Sequence, residues 1–229
     1  MHERFTDVEK LNSELNDPLV LAAYKAKSDD YIPGILARIL GGILVSSGNI
    51  VYGIRPSYLK FRAVEVIARV PYHSWASGAY TLLTLVYTNE RRAMKLSKFS
   101  WFSEYSQDNE TMHVVVISKL AKAEGVHSFV RGSLVPVLFA FIYFWVAYLL
   151  YLVHHKTALE LNYVFESHAF QQYDEFLKAH EQELREKHME SEYLRWYGRH
   201  PKNQYEFFQS VRNDELIHRN NSLEEISAS

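Results

Sequence analysis

The chain has 229 residues, 48% of them hydrophobic, which is enough for a sizeable core in one large domain or two small ones. Its formal charge of -2 arises from a balanced mixture of 25 basic and 27 acidic residues, so it lacks the clustered basic face that nucleic acid needs as a partner. With no cysteine, disulfides, thiolate metal sites, iron–sulfur clusters and cysteine nucleophiles are excluded, and any metal has to be held by histidine, carboxylate or carbonyl groups.

Residues 1–30 read as a polar N-terminal segment beginning MHERFTDVEKLNSELNDP, without the basic start, apolar stretch and small-residue cleavage site of a secretory signal or the Arg/Ser bias of a transit peptide. The reading is of a bacterial or viral chain, or of an organellar chain without its presequence. Ile35 to Val51 is apolar but broken by Arg38, Gly41 and Gly42, a pattern for an interfacial or packed helix rather than a spanning one. Strand signals are scarce, whereas several windows repeat apolar residues every three or four positions, so the chain reads as all-α.

Pro56 and Ser57 precede a helix reaching about residue 87, and Ser97 to about Lys122 carries the next, ended near Gly125. Leu134 to Val153, LVPVLFAFIYFWVAYLLYLV, has no charged residue over a length close to a bilayer core. Its flanks, with Lys119, Lys122 and Arg131 on one side and His154, His155 and Lys156 on the other, set no orientation. A long helix follows from about Thr157 towards His188, and Pro201 opens the last one, to about Arg219. The doubly charged stretch Lys178 to His200 reads as solvated helix surface and connector, and 220–229 as a disordered tail, leaving 31–219 as the helical domain.

A Glu-x-x-His pair on a helix puts a carboxylate and an imidazole on one face, one turn apart, where both reach a single metal. Three occur: Glu110/His113, Glu124/His127 and Glu215/His218. About one is expected by chance, so context has to choose among them. Gly125 interrupts Glu124/His127 at a predicted helix end, which marks that pair as accidental. Each of the other two follows a lone Glu in an apolar helix: Glu65 in FRAVEVIARVP, at 110 - 65 = 45 residues, and Glu166 in NYVFESHAF, at 215 - 166 = 49. Two similar helix pairs related by a pseudo-twofold produce that near-equality.

The stripe of Leu159, Asn162, Glu166, Ala169 or Phe170, Tyr173 and Leu177, and that of Phe208, Val211, Glu215 and His218, set each carboxylate among apolar neighbours. Four buried carboxylates need compensation, and two ferrous ions would balance them. One Glu from each of two helices and Glu-x-x-His from two others is the ligand arrangement of a ferritin-like four-helix bundle with a di-iron carboxylate centre.

These residues resemble a known family, the alternative oxidases, and within it the plastid terminal oxidase type that uses plastoquinol. VEVIARVPYHSW is similar to that group's Leu-Glu-Thr-Ile-Ala-Arg-Val-Pro-Tyr segment. ESHAFQQYDEFLKAHEQEL is similar to its Glu-Ser-His-Ala-Tyr-x-x-Tyr-Asp-Lys-Phe-Leu-Lys stretch. NETMH and RNDELIH match its Asn-Glu-x-Met-His and Arg-x-Asp-Glu-x-x-His. The matches span roughly residues 55 to 220. Phe165, Glu166, Ser167, His168 and Ala169 stand where the respiratory branch has Leu-Glu-Glu-Glu-Ala, and the plastid branch's longer stretch before the last helix is missing.

The resemblance implies that Glu65, Glu110, His113, Glu166, Glu215 and His218 bind two iron ions, and that Tyr173 beside them takes part in electron or radical transfer. It implies that Asn109 and Asp214 orient the ligating histidines, and that Arg62, Val64, Phe165 and Ala169 lie near the quinol. It further implies a monotopic protein on a thylakoid or bacterial cytoplasmic membrane, with amphipathic helices in one leaflet. That argues against a spanning helix at 134–153, and a homodimer is implied too. Asn89 to Arg92 (NERR) is a decoy, because no His follows Glu90 by three residues. The expected activity is oxidation of quinol, plastoquinol or ubiquinol, by O2 to water without proton pumping. The rival readings are a di-iron hydroxylase or desaturase acting on a lipid or quinone precursor, a helical membrane-surface protein with incidental acidic and histidine residues, and a ferritin-like iron store.

Overall fold

A computed structural model describes residues 2–126 and 128–228, and among these no strand forms apart from one isolated antiparallel bridge, His188 to Asn203. The helices are α1 (His2–Glu14), α2 (Pro18–Asp29), α3 (Ile35–Tyr52), α4 (Tyr58–Val86), α5 (Glu90–Ala123), a π turn (Val130–Leu134) running into α6 (Val135–Val153), α7 (His155–Glu186), α8 (Glu192–Tyr197) and α9 (Gln204–Ala228). The all-α expectation therefore holds. Local signals set the boundaries. Asp17 Oδ1 caps α2 by accepting from Leu19 N at 2.8 Å, with Pro18 in the first helical position. Asn89 caps α5 by accepting from Arg92 N at 3.1 Å, so that helix starts at the decoy NERR motif and not at Ser97. The last helix starts after Asn203, whose side chain accepts from Glu206 N at 2.9 Å, and not at Pro201.

The chain forms two compact units, the first comprising Ser47–Gly53 and Tyr58–Leu159, the second Met1–Ser46, Ile54–Ser57 and Glu160–Ser229. In the first unit α4 packs along both α5 and α6. Tyr72, Trp75, Phe99, Phe102 and Tyr151 build an aromatic core between them, with Phe99 stacked on Tyr151 at 5.0 Å between ring centroids. Gly78 lets the Tyr151 ring lie against α4, since a Cβ there would sit 2.6 Å from the ring. Tyr143, Ala147 and Tyr151 mark the buried face of α6. Phe141, Ile142, Trp145 and Leu149 mark an exposed apolar one. Two segments, Ile35–Tyr52 and Val130–Val153, are long and apolar enough to cross a membrane by length and composition, with mean hydropathy 1.5 and 2.1.

The second unit corrects three expectations. Residues 1–30 are an integral part of it: Leu15 and Tyr24 share a buried cluster with Phe170, Leu216 and Ile217. Asn12, Asn16, Ser28 and Asp29 of that segment bond to α9, while most of its other polar side chains are exposed. Residues 220–228 continue α9 instead of forming a disordered tail, because Asn220 and Ser222 are buried and Asn162 Nδ2 donates to Ser222 Oγ at 3.2 Å. Arg199, in the stretch read as a solvated connector, is buried among carboxylates.

Gly78→Ala forces the Tyr151 ring to move and is expected to destabilise the protein by about 1–3 kcal/mol. Gly48→Ala, which meets nothing within 4 Å, is expected to be neutral or stabilising by up to about 1 kcal/mol. Thermal unfolding of both variants in detergent checks this, and equal shifts would contradict the packing described.

Candidate metal centre

Each unit holds a triad of two glutamates and one histidine. In the first, α4 supplies Glu65 and α5 supplies Glu110 and His113, one ligand atom of each lying within 4.8 Å of the others. His113 Nδ1 is 3.2 Å from Glu65 Oε2 and 3.4 Å from Glu110 Oε2. In the second unit α7 supplies Glu166 and α9 supplies Glu215 and His218, again within 4.8 Å of one another. All six side chains are fully buried. The three-residue step from Glu110 to His113 and from Glu215 to His218 turns both groups onto one helix face.

Burial is the dominant electrostatic fact here. It pushes the Glu65 carboxyl up to about 8, the Glu110 carboxylate adds to the rise, and His113 opposes it. Two carboxylates and a neutral imidazole offer two hard oxygens and one nitrogen, a donor set suited to a divalent iron, manganese or zinc ion. The two negative charges of each triad balance one such ion, so the residues present fit the expected metal.

The stripe of Leu159, Asn162, Glu166, Ala169, Phe170, Tyr173 and Leu177 is buried throughout, and so is that of Phe208, Val211, Glu215 and His218. Tyr173 lies in the second unit with its ring 6.2 Å from that of Phe208. Asn109 is buried on α5 one residue before Glu110. Asp214 is buried on α9 one residue before Glu215 and accepts from Asn12 Nδ2 at 2.6 Å and Arg199 Nη2 at 2.9 Å. Of the residues expected near quinol, Arg62 and Val64 are half-buried on α4 in the first unit. Arg62 Nη2 donates to Ser133 Oγ at 2.9 Å. Phe165, half-buried, and Ala169, buried, belong to α7 in the second unit. A cleft of about 270 Å³ in the first unit is lined by Arg69, Val70, His73, Gln107, Ala140 and Phe144, and includes none of those four.

Glu124, of the pair classed as accidental, ends α5, and His127 lies outside the described residues. Sequence reasoning missed Glu9, Asn12, Arg199, Asn213, Arg219 and Asn220, which form a polar network along α9 beside Glu215 and His218 in sequence. The available signal was the Arg-Asn step that recurs at Arg212-Asn213 and Arg219-Asn220, two helical turns apart.

Because the Glu65 carboxyl lies above its ordinary value of 4.5, the folded metal-free protein keeps a proton there that the unfolded chain releases. That stabilising contribution is complete below the ordinary value and is lost as pH rises through about 8. Metal-free Glu65→Gln is therefore expected to be more stable than the parent at high pH, with the gap narrowing towards pH 4.5. Thermal unfolding across that range checks it, a pH-independent gap being the contrary result.

Comparison with known proteins agrees with this geometry. Residues 50–224 match the alternative oxidase family. The chain is 28% identical over 130 residues to "Ubiquinol oxidase 4, chloroplastic/chromoplastic" of Arabidopsis thaliana, a match covering 56% of this chain and 34% of that relative. The chain thus spans about a third of the length of that relative. No solved structure matches it significantly. With the family match extending over both glutamate–histidine triads, the chain belongs to the alternative oxidase family.

Proposed function

We propose that the chain is a membrane-attached, non-haem di-iron quinol oxidase in which Glu65, Glu110, His113, Glu166, Glu215 and His218 together hold two iron ions. The observation that carries this reading is the pair of buried glutamate–glutamate–histidine triads on helices of a family member. When bound, the irons supply the redox change by which two quinols, giving two electrons each, reduce one O2 to two waters. The four carboxylates balance the ions and the two imidazoles complete the donor set in neutral form.

The protein excludes water from the ligands with apolar side chains, Met112, Val116 and Ile117 on α5 and Leu159, Phe208 and Val211 on α7 and α9. Tyr173, fully buried and two turns along α7 from Glu166, is proposed to relay an electron and a proton. Asn109 and Asp214 are proposed to orient His113 and His218. Arg62, Val64, Phe165 and Ala169 are proposed to bind the quinol head group, with the Arg62 guanidinium as hydrogen-bond donor. The Arabidopsis relative's name, ubiquinol oxidase, supports quinol as substrate, with plastoquinol or ubiquinol as the choices.

Membrane attachment is proposed to be monotopic, on a thylakoid or bacterial cytoplasmic membrane. The support is the exposed apolar face of α6 together with Ile35, Ile39 and Ile43 on α3. Oxidation is proposed to proceed without proton pumping. A homodimer rests on the family resemblance alone.

Purified protein with iron and a short-chain quinol is expected to take up oxygen insensitively to cyanide, and Glu110→Ala and His218→Ala to lose uptake by more than about 100-fold. Oxygen appearing in an organic product, in place of water, would favour a hydroxylase and contradict the oxidase reading. Arg62→Ala is expected to raise the KM for quinol about tenfold with kcat little changed, and unchanged KM would remove Arg62 from the quinol site.

A further inference from the structure

Helix α9 lacks the two-faced pattern of a helix at a protein surface. Every residue from Val211 to Asn220 is buried, including Arg212, Asp214, Arg219 and Asn220. Part of the cause is α1 and α2, which pack on the side of α9 turned away from Glu215 and His218, while Arg212 also donates to Asp174 Oδ1 on α7 at 3.3 Å. Asn213 stands two residues before Glu215, and Asn220 two after His218. Two residues turn a helix by about 200°.

Both asparagines are held in the same way. Arg212 Nη2 donates to Asn213 Oδ1 at 2.9 Å, and Asn213 Nδ2 donates to Asn12 O and Asn16 Oδ1, each at 2.9 Å. Two turns on, Arg219 Nε donates to Asn220 Oδ1 at 3.1 Å and Asn220 Nδ2 donates to Tyr24 O at 2.9 Å. A guanidinium on the amide oxygen dictates which end of the amide faces the neighbouring helix, so each Arg-Asn step donates outward to α1 or α2. Between the two steps Leu216 and Ile217 pack against Leu15 and Tyr24.

A third contact lies between them in sequence, directly before Glu215. Arg199 grips Asp214 with two nitrogens and donates from Nε and Nη2 to Glu9 Oε2 and Oε1, both at 2.8 Å. The same N-terminal helices reach α7, where Tyr163 OH donates to Ser28 O at 2.7 Å. Glu9, Asn12, Asn16 and Tyr24 all precede residues 50–224, which carry the family match.

We propose that α1 and α2 form a positioning strap that sets the rotation and axial register of α9, and with them the direction in which Glu215 and His218 face the metal. The proposal rests on the metal-site reading above. A slip of one residue turns a helix by about 100°, whereas a metal site tolerates only about 10–20° of misalignment, so a ligand helix gains from being held at several points on its far side. Arg199 acts through Asp214 and is a positioning residue.

The test uses the whole chain and cobalt(II) alone as the metal, comparing Arg199→Ala and Asn12→Ala with Arg199→Lys. Asn12→Ala removes only the donations from Asn12 Nδ2 to Ser210 O and Asp214 Oδ1, which keeps the test decidable should Arg199→Ala not fold. In both alanine variants helix content is expected to persist and amide exchange of 211–220 in the metal-free protein to speed up. The cobalt ligand-field bands are expected to shift, and cobalt affinity to fall about tenfold or more. Arg199→Lys, which keeps the charge beside Asp214, is expected to restore part of the spectrum. Bands and affinity equal to the parent's in both variants would overturn the strap and leave α1 and α2 as a passive cover. A parent that binds no cobalt would instead overturn the metal reading. The strap would then be judged on exchange alone, with unchanged protection of 211–220 overturning it.

Discussion

Ionised carboxylates do not sit in a protein interior without a counter-charge, and that constraint organises this molecule. Each unit commits two long helices to carrying a pair of glutamates and a histidine into a space from which water is shut out. The raised Glu65 carboxyl expresses the cost: in the absence of a cation, burial and the neighbouring Glu110 make the proton the available partner. A metal ion bound there would replace that proton. Much of the rest of each unit, from the aromatic packing of Tyr72, Trp75, Phe99 and Tyr151 to the apolar stripes of α7 and α9, serves to keep those helices rigid and dry.

The second unit meets the constraint at a further level. Arg199 and Asp214 are an ion pair buried close to the α9 ligands, and such a pair adds little net stability once desolvation is counted. Its value lies in direction, because a bidentate guanidinium fixes a carboxylate's plane as well as its charge. The same reasoning applies to Arg212-Asn213 and Arg219-Asn220, where the charged side chain aligns an amide and the amide reaches a neighbouring helix. The N-terminal helices hold the far side of α9 through polar groups and Leu15, and so their sequence looks solvent-exposed although Asn12, Leu15 and Ser28 are buried.

This explains what was legible in the sequence and what was not. The helices that carry the two glutamate–histidine triads were readable because their pattern is local: a three-residue Glu-to-His step and an apolar stripe are visible in one segment. Their pairing was readable from the near-equal separations of Glu65 from Glu110 and Glu166 from Glu215. Residues 1–30 and 220–228 were misjudged because composition stood in for contact, and polar side chains buried against distant polar partners resemble solvated ones until the fold brings them together. Arg199 was missed for the same reason, lying in a run of mixed charge whose other members are mostly exposed. The exposed apolar face of α6 could not be separated from a spanning helix by length alone, since one side of it packs on α4 and the other does not.

The central claim is the proposal that the two triads bind two irons per chain. Iron K-edge X-ray absorption on anaerobically loaded protein tests it most directly, with metal content measured on the same sample. The account predicts two irons per chain, each coordinated by oxygen and nitrogen with no sulfur. A single iron per chain, or iron bound through other donors, would contradict it.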